Sequence, residues 1–253
     1  MRILVFGAGA LGSRFAARLH DAGHDVSILA RGERLASIRA RGIVVRDDAA
    51  GLTSTSLVPT IERLDPADRY DVALVFVRRE QRLEALQELA ANATPTIAFI
   101  GNDATGGQAV KEALGSRLVL GFAMAGGTIV DDVVHARIAR PTSPTMLGEP
   151  DGTISDRVRE LAVVLRSAGI PAEVTPAIGA WLRTHAALVV PVAAAVYGAA
   201  GDVRRLRAAG PARRPSSSSW RRLTRVSSRP RPMEAMASCS VRPITKIPFS
   251  STR

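Results

Sequence analysis

The chain has 253 residues, 46% apolar and 23% charged, which suffices for one large or two modest domains and excludes a chain that stays unfolded throughout. Its net charge of +11 is concentrated: residues 211–253 hold ten of the 34 Lys/Arg and one of the 23 acids, leaving 24 basic and 22 acidic residues in the nearly neutral body. A basic body that grips nucleic acid is therefore excluded, and the lone cysteine, Cys239, rules out an internal disulfide and makes a reducing cytoplasm the expected compartment.

The run "RILVF" (2–6) reads as a strand that ends at glycine, and residues 10–22 then place Leu11, Phe15, Leu19 and Ala22 at helical spacing. Met1 and Arg2 before this run imitate a signal peptide, but the apolar core is too short for one. "HDVSILA" (24–30) is a second strand. "RGERLASIRARG" (31–42) is a second helix with Leu35, Ile38 and Arg39 near one face and Gly42 at its stop, and the βαβ unit so formed requires parallel strands. Strands follow at 71–77, 96–100 and 117–125, with helices at 80–91 and about 106–114 between them. This alternation predicts an α/β fold, a Rossmann-type doubly wound parallel sheet. "TIVDDVVHARIA" (128–139) and "PTMLGEP" (144–150) suit antiparallel edge strands.

Ser155 as N-cap, an apolar face of Val158, Leu161, Ala162 and Leu165, and Gly169 beyond them predict a helix over 155–167. A domain boundary is expected near 170, dividing a first domain (1–170) from a second part (171–209). That second part opens with "AIGAWLRTHAALVVPVAAAVYGAA" (177–200). Its apolar run, 186–200, is shorter than the roughly 20 residues that span a bilayer and contains Pro191, so a buried helix is expected and no membrane segment. Residues 210–253 form a basic Arg/Ser/Pro-rich tail, expected to be mostly disordered. Its Trp220 and Phe249 are too far apart for a stacking platform, so no nucleic-acid partner is expected.

The stretch Gly7-Ala8-Gly9-Ala10-Leu11-Gly12 matches GxGxxG and lies between a predicted strand and helix. There Gly7 permits a tight turn, Gly9 admits a pyrophosphate against the backbone and Gly12 lets the helix pack on the sheet, while the helix N-terminus meets the phosphate charge. After the second strand the first charged residue is Arg31, where a ribose-binding carboxylate would otherwise stand. A guanidinium at that place suits a 2′-phosphate, so the expected cofactor is NADP.

Together, "MRILVFGAGALGSRFAARLHDAGHDVSILARGERLASIRARGI", "DVALVFVRREQ", "FIGNDATGG", "TMLGEPDG" and "GIPAEVTPAIGAWLR" resemble the ketopantoate reductase family over about residues 1–207. The resemblance implies NADPH-dependent reduction of a 2-oxo acid, 2-dehydropantoate to pantoate or a relative, between a Rossmann domain and a helical domain. It also implies that Gly7 to Gly12 form the pyrophosphate loop, that Arg31 holds the 2′-phosphate, that Arg78 stands near the adenosine phosphate where the family has a Lys, and that Asn102 lies beside the nicotinamide ribose. By the same resemblance Ala125, at the end of the next strand, is a further candidate cofactor contact. Asn102 also reads as an ordinary turn residue. No metal site is expected.

In this family a Lys two residues after a Trp stabilises and protonates the developing alkoxide, with an Asn four residues further on. The matching positions here are Trp181, Arg183 and Ala187, and an alignment on Pro191 instead puts Leu182 at the Lys position. Arg183 donates hydrogen bonds but seldom gives up a proton, whereas His185 titrates near neutrality; a separation of two residues turns them to nearly opposite sides of a helix. Arg183 and His185 are the catalytic candidates. The competing reading is an NADP-binding remnant with impaired catalysis, and an incomplete helical domain that exposes apolar surface makes a homodimer a candidate assembly. With two lysines against 32 arginines, the gene reads as GC-rich, and the tail has the composition of such a gene read out of frame. A frameshift or truncation after about residue 207 is expected. The coding DNA should then hold an alternative frame that continues as an amphipathic helical domain; finding none would refute the frameshift.

Overall fold

A computed structural model describes residues 1–47, 51–102, 108–138, 143–202 and 204. Met1–Ala194 form one compact unit, and the described part of the second, Ala195–Arg253, is a helix end and the turn after it. In chain order the elements are β1 (Arg2–Phe6), α1 (Ala10–Asp21), β2 (Asp25–Leu29), α2 (Gly32–Arg41), β3 (Ile43–Asp47), β4 (Leu52–Ser56), β5 (Thr60–Ile61), β6 (Val72–Val75), α3 (Arg82–Ala91) and β7 (Thr96–Ile100). They continue with α4 (Gln108–Leu114), β8 (Leu118–Ala123), β9 (Ala125–Val130), β10 (Val133–Ile138), β11 (Thr145–Gly148), α5 (Asp156–Ser167), β12 (Ala172–Val174) and α6 (Ile178–Gly198).

The main sheet has the order β12-β11-β8-β7-β6-β1-β2-β5. It is parallel from β5 to β8, and β11 runs antiparallel to β8. Its strands are apolar on both faces because helices cover both. Ile3 and Val5 share a core with Phe15 of α1, Leu35 of α2 and Leu161 of α5. Leu4 and Phe6 face the other way, into a core with Leu89 of α3, Leu114 of α4 and Leu182 of α6. The helix expected over 155–167 begins as anticipated, with Ser155 Oγ accepting a hydrogen bond from the Val158 N–H.

Three features depart from the sequence reading or add to it. The expected strand 117–125 is two: β8 ends at Ala123, the chain bends at Met124, and β9 leaves the main sheet. The cause is pairing, since β11 matches β8 only from Leu120 to Ala123 and β9 finds its partner in β10. Residues 43–61, unassigned from sequence, supply β3, β4 and β5, and a second sheet runs β4-β3-β10-β9. That sheet lies against α1. Ile43 and Val134 are fully buried in the core of α1, which explains why α1 buries even Ser13 and Arg14 rather than a single stripe. Burial, followed by the charge of Arg18, pushes the Arg14 guanidinium below its ordinary pKa. Finally, β12 pairs with β11, so the main sheet continues past position 170.

Helix α6 is, by length and composition, apolar enough to cross a membrane. Its first half is fixed against the sheet by Ile178, Leu182 and Ala186, but the expected burial does not extend beyond it, where Leu188, Val190, Val192 and Tyr197 are exposed.

The turn between β9 and β10 holds Asp131 and Asp132 at φ 48° and 65°, both left-handed, as a two-residue type I′ hairpin requires. Arg41 ion-pairs with the Asp132 carboxylate, and Arg34 Nη1 donates to the Asp132 carbonyl at 3.0 Å. The other nitrogens of Arg34 donate to the Ala8 carbonyl (3.3 Å) and to Ser13 Oγ (3.1 Å), which ties the small sheet to the β1–α1 junction. Asp131 has no such compensation for its strained backbone. Asp131→Asn, with a residue better suited to this conformation and one charge fewer, should therefore raise stability by about 0.5–1 kcal/mol in urea denaturation, whereas Asp132→Asn, which loses the exposed Arg41 pair for the same backbone gain, should change it by less than about 0.5 kcal/mol.

Candidate functional site

In an open parallel sheet, ligands bind beyond the carboxyl ends of the strands where the order reverses, which here is between β1 and β6. A cleft of about 370 Å³ opens at that place, with Gly7, Gly9, Arg31, Arg34, Arg78 and Glu84 among its walls. The backbone explains the glycines. Gly7 has φ +111°, and a Cβ on it would overlap the Phe76 carbonyl at the end of β6. A Cβ on Gly12 would overlap the carbonyl of Gly7, so the first turn of α1 sits directly on the loop that precedes it. At Gly9 a Cβ would meet no atom within 4 Å and would stand over open space, room that a ligand approaching the backbone requires. No side chain caps α1 at Gly9, so its first-turn N–H groups are not occupied by a cap. Beneath the turn, the rings of Phe15 and Phe76 pack at 4.8 Å.

Arg31 ends the loop after β2, at the N-cap of α2, and lines the cleft. Its guanidinium is shared with α3: Nη1 donates to Glu84 Oε1 at 2.6 Å and Nη2 to Glu88 Oε1. Arg78 lines the same cleft with its side chain exposed, its N–H donating to Gln81 Oε1 at 3.3 Å. Arg34, Glu84 and Ile129 also wall the cleft and were not identified from sequence. The signal for Arg34 and Glu84 existed in part, as charged residues in helices after β2 and β6; Ile129 arrives through the second sheet.

Of the other expected cofactor contacts, Ala10, Leu11 and Gly12 form the first turn of α1, and Asn102 and Ala125 come from further along the chain. Asn102 follows β7, exposed, and its carbonyl accepts a 3.4 Å bond from Arg82 Nη2; residues 103–107 of "GNDATGG" fall outside the described residues. Ala125 opens β9 instead of ending β8, half-buried opposite Ile138. Neither is among the residues that wall the cleft.

On α6 the helical geometry separates the catalytic candidates. His185 stacks on Trp181 with ring centroids 5.2 Å apart and planes 4° from parallel, and it touches the Phe122 ring of β8 at 4.2 Å. Burial pushes its pKa below the ordinary value, so the imidazole is mainly neutral at pH 7. Arg183 and Ala187 are exposed. Arg183 offers a fixed positive charge to any anion that comes to this side of α6.

The family model for ketopantoate reductase PanE/ApbA matches residues 3–152. A 2-dehydropantoate 2-reductase of Mesorhizobium japonicum is 30% identical over 200 residues, covering 69% of this chain and 60% of the relative. The crystal structure of 2-dehydropantoate 2-reductase from Methylococcus capsulatus aligns with a TM-score of 0.59 and 26% identity over 70% of this chain and 57% of that one. D-mandelate dehydrogenase, solved with NADH and anilino(oxo)acetate, shares the fold at a TM-score of 0.63 and 19% identity, over 70% and 58% of the two chains. The chain thus spans less than two-thirds of the length of these relatives. With more than half of its residues inside the family model, the chain belongs to the ketopantoate reductase (PanE/ApbA) family.

Proposed function

We propose that the protein is an NADPH-dependent reductase of a 2-oxo acid, ketopantoate or a close analogue. The observation that carries this reading is the cleft at the switch point, where a backbone open at Gly9 faces Arg31 and Arg78. These residues fit a dinucleotide: the Gly9–Gly12 turn receives the pyrophosphate, and the guanidinium groups receive the phosphates of the adenosine half. The family supplies the reaction class, and two of the relatives are named for reduction of 2-dehydropantoate.

The bound nicotinamide would supply the hydride that reduces the carbonyl carbon. On the protein side, Arg183 holds the substrate carboxylate and stabilises negative charge on the carbonyl oxygen without releasing a proton. His185, neutral, stacked on Trp181 and tilted against Phe122, shapes an aromatic wall at the head of α6, and solvent delivers the proton to the alkoxide.

A second reading, an NADP-binding protein without turnover, is favoured by one specific observation: the positions matching the family's Lys and Asn are Arg183 and Ala187, both exposed. Consumption of NADPH on addition of ketopantoate, followed at 340 nm, separates the two. The reductase predicts turnover that falls at least tenfold in Arg183→Ala; tight NADPH binding with no turnover would establish the binding protein in its place.

A further inference from the structure

We infer that Glu84 sets the cofactor preference of the cleft, holding back the selectivity for NADPH over NADH that Arg31 would otherwise confer. The inference rests on reading the cleft as a dinucleotide site and goes beyond it, to the residue that chooses between the two dinucleotides.

Arg31 has two terminal nitrogens, and each is engaged by a carboxylate one turn apart on α3. The two acids are not equivalent. The Glu88 side chain is 22% exposed, and its second oxygen accepts a 3.4 Å bond from the Leu64 N–H, so it is anchored and buttresses Arg31 from behind. Glu84 is 62% exposed and lines the cleft. It therefore stands beside Arg31 on the side that faces the cleft.

A 2′-phosphate that reaches for Arg31 competes with the Glu84 carboxylate for the guanidinium and stays beside it. The exposed ion pair itself is weakly held and is easily broken. The larger effect is that a dianionic phosphate stays within a few ångströms of a like charge that water screens only in part. A ribose 2′-hydroxyl meets no such opposition. It can donate to Glu84 Oε1 as it would to the acid that commonly follows the second strand, a position held here by Arg31. Arg31 and Glu84 together make a site of both signs, in which the Glu84 carboxylate narrows the preference for the 2′-phosphate.

The test is a fluorescence titration of the full chain with NADPH and with NADH, in the wild type, Glu84→Gln and Glu84→Gln/Arg31→Gln. Glutamine keeps the size and an acceptor oxygen and removes the charge. The wild type should bind the two dinucleotides within about tenfold of each other, and Glu84→Gln should tighten NADPH about tenfold while moving NADH less than about threefold. Loss of that gain in the double variant would assign it to Arg31. An NADPH:NADH affinity ratio unchanged within about twofold in Glu84→Gln overturns the inference and leaves the dinucleotide site standing. Failure of the wild type to bind either dinucleotide overturns both.

Discussion

The close approach of two carbonyls to two glycines is the constraint on which the rest of this structure depends. The carbonyl of Phe76 lies where a side chain on Gly7 would be, and the carbonyl of Gly7 lies where one on Gly12 would be. These contacts bring β1, β6 and the first turn of α1 within backbone distance of each other, and they open the cleft on the far side of Gly9. They also seat α1 deeply enough for the second sheet to close over its back: a Cβ on Gly127 of β9 would stand 3.1 Å from the Cβ of Ala10. Phe15, fully buried, contributes on the order of 2–3 kcal/mol of apolar burial that would be lost if α1 were lifted.

Charge in the cleft is divided by task. Three arginines line it, but Arg34 spends its guanidinium on Ala8, Ser13 and Asp132, and so belongs to the scaffold. Arg31 is shared with α3, and Arg78 presents its side chain to the opening. A count of basic residues would treat these three alike, whereas their partners decide what each can offer an incoming phosphate. The same holds on α6, where one helical turn gives His185 an aromatic environment and leaves Arg183 in solvent.

What the sequence disclosed follows from the range of the forces involved. The main sheet, its helices and the glycine turn were legible because periodicity and turn chemistry are local: "RILVF", "GAGALG" and the Ser155 cap each carry their own signal. The antiparallel pair β9–β10 was legible too, but β3 and β4 were not, because both are short, β4 is polar and β3 is held by a partner strand almost ninety residues away, as Val45 beside Val134 illustrates. Arg31 could be placed in the cleft from its position after β2. Its capture by Glu84 and Glu88, more than fifty residues on, could not, since nothing in helical spacing states which strand end a helix will overhang. The catalytic candidates at the head of α6 came from family likeness, and the separation of Arg183 from His185 from simple helix geometry.

Everything proposed for the cleft requires that the Gly7–Gly12 turn hold the pyrophosphate of a nicotinamide dinucleotide. Backbone amide NMR of the full chain during an NADPH titration tests it most directly. The account predicts that the largest saturable shifts fall on the N–H groups from Gly9 to Gly12, where phosphate oxygens would accept hydrogen bonds. Unchanged resonances from Gly7 to Gly12 at saturating NADPH would contradict it.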